Sequence, residues 1–535
     1  MDSTTKWNIE SHRGLLKSSE RRPSLAHLLF NQTSTNRKST LKEILSDKIY
    51  SEEISHSSDP SSEQQNFTQM NLLFRAIFLK IGSTGEVLLR GLFSIFGVVL
   101  FTRLAPVFGN VGIVFGPILV LLCEAIVFLT VLSVCAIITN GEIHYGGVYF
   151  LVSRSLGPRF GFTIGMQFFL ANCFSISLYL LGLAEALDAI FQPNFRFFEQ
   201  VLSIFLLLLV FALSVAQNRV LFVLQIFVVV PLIVVSLICV FVGMAYWQSR
   251  GGNPLIAGFS AATIRANVKI PTFAEFFLAT GIFFPGTLGV MSGANTAESL
   301  EKPEKSMPRG MMSGVAISTF TYLLLGIVMS SSVLGKNLVG VDLILSKIAI
   351  NKWVVNVSLI ASILSQAITN FNIAPNLLGG IVNDNFLRPL KVFKGRHMRL
   401  KLQLTVFVIS ALFILPGSFD IIAPVITAFT VITYTVLNFA CFLHSFQKTP
   451  NWRPNFRFYN AYVSLTAAII GIALIFVLDY VAALMALGIT VIFAGIAALI
   501  KPEVDWGGAI DLVTMSSAIR SLKNLENKKI GAKSF

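Results

Sequence analysis

Long apolar runs alternate with short polar connections between about residues 87 and 500. Each run is close to the roughly 20 residues that an α-helix needs to cross the hydrocarbon core of a bilayer. The pattern therefore predicts an all-α polytopic membrane protein with about 12 transmembrane helices, or eleven if the last two runs form one helix. The predicted spans are 87–109, 111–138, 159–187, 197–216, 219–246, 273–297, 309–334, 353–383, 400–417, 421–445, 459–479 and 480–500.

Two of these spans contain a glycine-rich interruption, and they lie five spans apart. The first reads GLFSIFGVVLFTRL and the second FFPGTLGVMSGAN. Unwound backbone in hydrocarbon costs several kcal/mol per unpaired group, so such a break persists only where it lines a cavity or lies inside protein. A matched pair of interrupted spans indicates the binding site of a secondary transporter. Glycine kinks that let two helices approach closely are the alternative interpretation.

The interruptions predict ion-binding chemistry. A half-helix that starts near Gly97 presents amides without intrahelical partners at the positive end of the helix dipole, which favours an anion. The same argument applies to the half-helix near Gly289. Carbonyl groups freed just before each break are oxygen ligands for a cation. We therefore expect anions and cations to bind together near the middle of the membrane.

Composition and charge support a membrane location. Hydrophobic residues make up 54% of the chain and charged residues 13%, whereas soluble domains contain roughly 25% charged residues. With both termini in the cytoplasm, most of the 41 Lys and Arg residues lie on the cytoplasmic side, as the positive-inside rule requires. The net charge of +14 is thus a signal of topology, and no nucleic-acid partner is expected. No ATP-binding loop, covalent active site, metal-ligand spacing or cofactor motif is present, so we expect no enzyme and no cofactor.

Three segments are predicted. Residues 1–70 are rich in Ser, Thr and charged residues, which predicts a disordered cytoplasmic tail. Residues 71–500 are expected to form the transmembrane transporter domain, and residues 501–535 a short cytoplasmic C-terminal tail.

Polar side chains inside spans are candidates for function, although each also has a structural interpretation as a hydrogen-bonded helix contact. They are Tyr179, Tyr434, Ser362, Ser365 and Gln366. Arg103 and Glu185 lie near the outer ends of their spans, where an ion pair could close an outer vestibule and an interfacial position is the alternative. Glu124 lies within the second span without an obvious partner.

Several motifs together resemble the cation–chloride cotransporters, which belong to the amino acid–polyamine–cation superfamily. They occur in order along the chain from about residue 70 to 525, and include GVVLFTRL, ITNGEIHYGGVYFLVSRSLGPRFG, FFPGTLGVMSGAN, SLEKPEKSMPRG, TPNWRPNFRFYN and KPEVDWG. The resemblance implies a five-plus-five inverted repeat with broken first and sixth helices, two further helices and a homodimer. It also implies electroneutral symport of chloride with potassium, sodium or both.

Ion ligands are implied by the same resemblance. The two chloride sites would be formed by the amides of Gly97, Val98 and Val99, and by those of Gly289, Val290 and Met291 with the Tyr434 hydroxyl. The potassium site would use Ser94, Ile95, Tyr179, Pro285 and Thr287. The sodium site would use Phe93, Phe96, Ser362, Ser365 and Gln366.

The chain departs from the family pattern mainly at the cation ligands. Ser94 stands where the family has Asn, Leu288 where a hydroxyl ligand is usual, and Gln366 in place of the second serine of a pair. The large cytosolic domain that is usual in the family does not follow KPEVDWG. Which cation is carried therefore stays open.

Three functions fit these features. The first is chloride-coupled symport of monovalent cations, potassium or sodium or both, by alternating access across the plasma membrane. The second is transport of an amino acid, polyamine or other organic solute by a member of the same superfamily. The third is a non-transporting regulatory partner of a cation–chloride cotransporter. The expected partners are chloride, monovalent cations, the lipid bilayer and a second copy of the chain.

Overall fold

The computed structural model describes residues 82–141, 146–192, 197–215, 218–295, 300, 302–386, 388–415, 419–447 and 452–500, together with 514, 517–519 and 521–525. The predicted N-terminal tail and most of the predicted C-terminal tail lie outside the described residues. Within them the chain is almost wholly helical, and one isolated antiparallel bridge joins Ile256 and Val333.

The helices follow the apolar runs of the sequence. In the first half of the chain they are α1 at 82–95, α2 at Val99–Ile138, α3 at Val148–Leu156, α4 at Pro158–Phe191, α5 at Phe198–Val215 and α6 at Val220–Arg250. After the short helix α7, Ala261–Ala266, come α8 at Phe273–Phe283, a 3₁₀-helix at Phe284–Val290, α9 at Met291–Ala294 and α10 at Pro303–Ser332. The short helices α11, Gly335–Gly340, and α12, Ile344–Ile348, precede α13 at Lys352–Asn383. A 3₁₀-helix at Arg388–Phe393 is followed by α14 at Met398–Ile414, α15 at Phe419–Gln447, α16 at Ala461–Leu478 and α17 at Tyr480–Leu499.

Ten helices among the described residues are long and apolar enough to cross a membrane. Helix α2 holds the end of the first predicted span and all of the second, because its backbone turns at Gly112 (φ 82°, ψ 173°). The 17-residue helix α14 corresponds to most of the ninth predicted span, 400–417. The polytopic all-α fold predicted from the apolar runs is thus confirmed, with the first and sixth spans interrupted.

Gly112 is needed at its turn for two reasons. Its positive φ is unfavourable for residues with a side chain. A Cβ atom there would also lie only 2.7 Å from the backbone oxygen of Asn267. The Asn267 side chain joins the surrounding loops, because it donates to the carbonyls of Ser330 and Val333 and accepts from the amide of Gly335. This network fixes one end of the first two spans.

Burial separates an inner group of helices from an outer one. Helix α13 and the 422–447 part of α15 are the most buried spans. Helices α5, α6 and α17 instead expose apolar side chains over most of their length. Large exposed apolar surfaces are typical of contact with lipid. The inner helices surround the two interrupted spans.

Candidate functional site

A cavity lies where the two interrupted spans meet. It holds about 330 Å³ of space between atoms, including the part open to solvent, and thirteen described residues line it. Ser94 comes from the first interrupted span and Gly289 from the sixth. The polar lining residues carry hydroxyl or carboxamide groups, among them Tyr179 and Asn370, and none of the thirteen is charged. The site is therefore polar and electrically neutral.

The first interruption is two residues long. Helix α1 continues through Ile95, because the amide of Phe96 still donates to the carbonyl of Leu92 at 2.8 Å. Phe96 and Gly97 leave the helix, and helical structure resumes at Val98. The half-helix predicted to start near Gly97 thus begins at Val98, and Ser94 and Ile95 are the last residues of α1, so that their carbonyls are freed.

Gln366 bridges this interruption. Its Oε1 atom accepts a hydrogen bond from the amide of Val98 at 3.2 Å, and its Nε2 atom donates to the carbonyl of Ser94 at 2.7 Å. Gly97 leaves the room for this contact, since a Cβ atom there would overlap the Gln366 Oε1 atom. The Val98 amide, predicted as a chloride ligand, thus donates to Gln366 in this structure, and its role in anion binding stays a prediction.

The second freed carbonyl has a partner that the sequence did not reveal. The hydroxyl of Tyr322, from α10, donates to the carbonyl of Ile95 at 3.1 Å. The Phe96 ring packs edge-on against the Tyr322 ring. Ile95, predicted as a potassium ligand, therefore already accepts one hydrogen bond. A tyrosine in an apolar run was the available signal, the same signal that selected Tyr179.

The second interruption is a 3₁₀-helix rather than unwound chain. In a 3₁₀-helix each amide bonds to the carbonyl three residues earlier, so Gly289 and Val290 do not form the free amide end that the sequence predicted. Met291 follows as the first residue of α9, and its amide is directed at the carbonyl of Gly289. Pro285 lies in the first turn, where a missing amide proton is tolerated.

Two predicted ligands, Thr287 on this segment and Tyr434 on α15, already donate to backbone carbonyls. The Thr287 hydroxyl donates to the carbonyl of Phe284 at 2.8 Å, and Thr287 does not line the cavity. The Tyr434 hydroxyl donates to the carbonyl of Leu288 at 2.8 Å. Both hydroxyls thus have a backbone acceptor in this structure, and the roles of Thr287 as a potassium ligand and of Tyr434 as a chloride ligand stay predictions.

The two interruptions pack against each other through glycine. A Cβ atom on Gly289 would lie 2.5 Å from both the carbonyl carbon and the oxygen of Ser94, and 2.9 Å from the nitrogen of Ile95. One on Gly286 would lie 2.7 Å from the Cβ of Val99. The glycines thus serve close helix approach, the structural alternative considered from the sequence, at the same place as the cavity.

Three buried hydroxyls at the centre have no hydrogen-bond partner among the described residues. They are the Oγ atoms of Ser94, Ser362 and Ser365. Ser362 and Ser365 come from α13, one turn apart, next to Gln366. Phe93, predicted near the sodium site, packs its ring edge-on against that of Phe222. Of the predicted sodium residues, Ser362, Ser365 and Gln366 thus lie together on α13, and the Gln366 side chain is turned into the break.

The predicted ion pair between Arg103 and Glu185 is present. The Arg103 Nη2 atom lies 2.6 Å from Glu185 Oε2, and the two side chains are 18% and 44% exposed. The pair joins the segment that follows the first interruption to the last two turns of α4. Its role as a gate remains a prediction.

Glu124, unassigned from the sequence, has a partner in the structure. The Ser318 hydroxyl of α10 donates to its Oε1 atom at 3.1 Å. Glu124 is 2% exposed, and Tyr322 lies one helical turn from Ser318. A buried carboxyl group thus stands beside the helix that contacts the first interruption.

Comparison with known proteins by sequence shows the family of this chain. A sequence model of the amino acid permease family matches residues 86–520, and the chain belongs to this family. It is similar to Solute carrier family 12 member 1 of Mus musculus, with 29% identity over 512 residues, and to Cation-chloride cotransporter 1 of Arabidopsis thaliana, with 28% over 505 residues. It is also 27% identical over 510 residues to Solute carrier family 12 member 2 of Mus musculus.

These alignments cover 85% of this chain and 46%, 51% and 42% of the respective relatives. The chain therefore spans about half the length of the curated relatives that it matches. The resemblance inferred from the motifs is confirmed. The chain is an integral multi-pass membrane protein of a transporter family.

Proposed function

We propose that this protein is a secondary active transporter that moves chloride together with monovalent cations by alternating access. The observation that carries the proposal is the neutral, polar cavity where the two interrupted spans meet. The similarity to proteins named as cation-chloride cotransporters supports it. We further propose a location in the plasma membrane, cytoplasmic termini and a homodimer, as the sequence predicts.

The charge of the cavity favours an ion pair over a single charged solute. Burying an uncompensated charge is costly, and a site for a polyamine would need carboxylates to offset its positive charges. None of the described lining residues is acidic. A cation that enters together with chloride brings its own compensating charge, and hydroxyl and carboxamide groups can complete the coordination of both ions.

An amino acid is the second candidate substrate, and the same observation allows it. A zwitterion is neutral overall, as are the residues that line the cavity. The family match to amino acid permeases gives this candidate its support. A regulatory role without transport has no feature of the site in its favour.

Uptake by the full-length protein in liposomes distinguishes these functions. We expect uptake of radioactive rubidium to require chloride, and uptake of radioactive chloride to require potassium or rubidium. A panel of amino acids should leave both rates unchanged. Chloride-independent uptake of an amino acid would replace the proposal with the second candidate, and no uptake of any of these solutes would contradict both.

Leu288 tests whether the cation occupies this cavity. It lines the cavity, and it stands where the family pattern has a hydroxyl ligand. Leu288→Thr should add an oxygen ligand and lower the KM for rubidium about 10-fold or more, because one polar contact to a charged group contributes about 1.5–3 kcal/mol. The matched control is Val290→Thr on the same 3₁₀-helix, at a buried position that does not line the cavity. An unchanged KM in Leu288→Thr would place the cation elsewhere.

A further inference from the structure

The first interruption is closed by the chain itself. Leaving a helix in the middle of a membrane frees a carbonyl and an amide, and each must find a partner. Here one side chain supplies both partners, because Gln366 donates to the Ser94 carbonyl and accepts from the Val98 amide. Gln366 is 1% exposed, so both of these hydrogen bonds form away from water.

The chemistry of a carboxamide fixes its orientation at this place. Its NH₂ group carries partial positive charge and only donates, whereas its oxygen carries partial negative charge and only accepts. Turning the group over would set its NH₂ against the Val98 N–H and its oxygen against the Ser94 carbonyl, with both contacts repulsive. The NH₂ group therefore stands where a cation would meet the carbonyl, and the oxygen where an anion would meet the amide.

Neighbouring contacts hold the helix that carries Gln366. The Nε2 atom of Gln225, from α6, donates to the carbonyl of Ser365 at 3.1 Å. It also lies 3.3 Å from the hydroxyl of Thr369, which itself donates to the Ser365 carbonyl. The backbone beside Gln366 is thus fixed to a second helix, so that the carboxamide is set against the interruption.

We infer that the Gln366 carboxamide takes the place of a bound sodium ion at the first interruption, so that this protein neither binds nor requires sodium there. The transported cation is then held in the adjacent cavity, where Ser94, Tyr179 and Asn370 supply oxygen atoms. The transport part of this inference rests on the proposed function. The statement on sodium binding does not.

Two serines beside Gln366 are the side chains that would bind a sodium ion if the carboxamide did not occupy its place. The hydroxyls of Ser362 and Ser365 are buried on the same helix and have no partner among the described residues. A sodium ion that binds beside Gln366 would use them. In Gln366→Ser a third hydroxyl joins these two and the Ser94 carbonyl is freed, which gives several oxygen ligands of the kind that bind a hard cation.

Sodium binding to the purified full-length protein is the first test. Wild-type protein should show no saturable binding of radioactive sodium and no thermal stabilisation by sodium beyond that given by N-methylglucamine, since a ligand stabilises only the state that binds it. Gln366→Ser should gain both. The matched control is Gln403→Ser, which removes another buried glutamine, bonded to the Ser214 carbonyl at 3.0 Å, from a different helix; it should gain neither.

Rubidium uptake is the second test. Chloride-dependent uptake by wild-type protein should be the same with sodium as with N-methylglucamine, whereas in Gln366→Ser sodium should raise the apparent affinity for rubidium about fivefold or more. Saturable sodium binding by wild-type protein that Ser362→Ala or Ser365→Ala abolishes would overturn the inference. Sodium binding by the wild-type protein tests the inference even if the Gln366→Ser variant is not produced in a folded form. If the wild-type protein neither takes up rubidium nor binds sodium, only the proposed function is contradicted.

Discussion

Gly289→Ala should reduce transport about 5- to 150-fold while the protein still inserts into the membrane. The added Cβ atom would lie 2.5 Å from the carbonyl carbon and oxygen of Ser94, which is backbone and cannot rotate away. Inserting a carbon into a packed interior costs about 1–3 kcal/mol. This free energy corresponds to the expected reduction in transport of about 5- to 150-fold. The measurement is chloride-dependent rubidium uptake per unit of protein in the vesicle membrane.

The same interrupted span offers a matched control. Gly281 lies in α8, and a Cβ atom there would meet only the flexible end of Leu478 at 3.9 Å. Gly281→Ala should transport normally and should raise helix propensity. Normal transport by Gly289→Ala would show that the two interrupted spans are not held together at this contact during the transport cycle. Equal loss in both variants would point to a general effect on the bundle.

The fold was predictable because the bilayer restricts the choice of structure. An apolar run of sufficient length has to be helical, since only internal hydrogen bonds are available in hydrocarbon. The runs at 159–187 and 353–383 became α4 and α13 with boundaries shifted by a few residues. The exact end of the first half-helix was missed, because the sequence shows a glycine but not whether the Phe96 amide keeps its bond to Leu92.

The site was predictable in position but not in its hydrogen bonding. The glycine pattern located both interruptions, and polar residues in apolar runs selected Tyr179 and Gln366. The bridge from Gln366 to Val98 joins residues 268 positions apart, so it depends on how α1, α2 and α13 cross. The contact between Tyr322 and Ile95 spans 227 positions and depends on the same packing. No local pattern specifies such contacts.

The Arg103–Glu185 pair needs a control that separates gating from the general effect of a charge change. Lys269 and Glu275 form an ion pair of 3.2 Å in which both side chains are nearly half exposed. Exposed pairs contribute about 0.2–1 kcal/mol. Glu275 also caps α8, because its carboxylate accepts from the Thr272 amide at 2.9 Å. The control therefore changes only the other partner, and Lys269→Gln should leave transport unchanged. A marked loss in Lys269→Gln would mean that a charge change at a helix end itself disturbs insertion or folding.

Arg103→Ala should impair transport strongly, and exchanging the two charges in Arg103→Glu with Glu185→Arg should restore part of it. Arg103 is the more buried partner, so its removal takes away both the ion pair and the packing of its side chain. Glu185→Gln should cost less, because Glu199 also interacts electrostatically with Arg103. As a gate, the Arg103–Glu185 pair would close the outer side of the cavity in this state and separate when the cavity opens. The double-mutant cycle in uptake rate should then give a coupling of about 1 kcal/mol or more. Additive effects of the two single substitutions would remove the pair from the gating mechanism and leave it as a static link between α2 and α4.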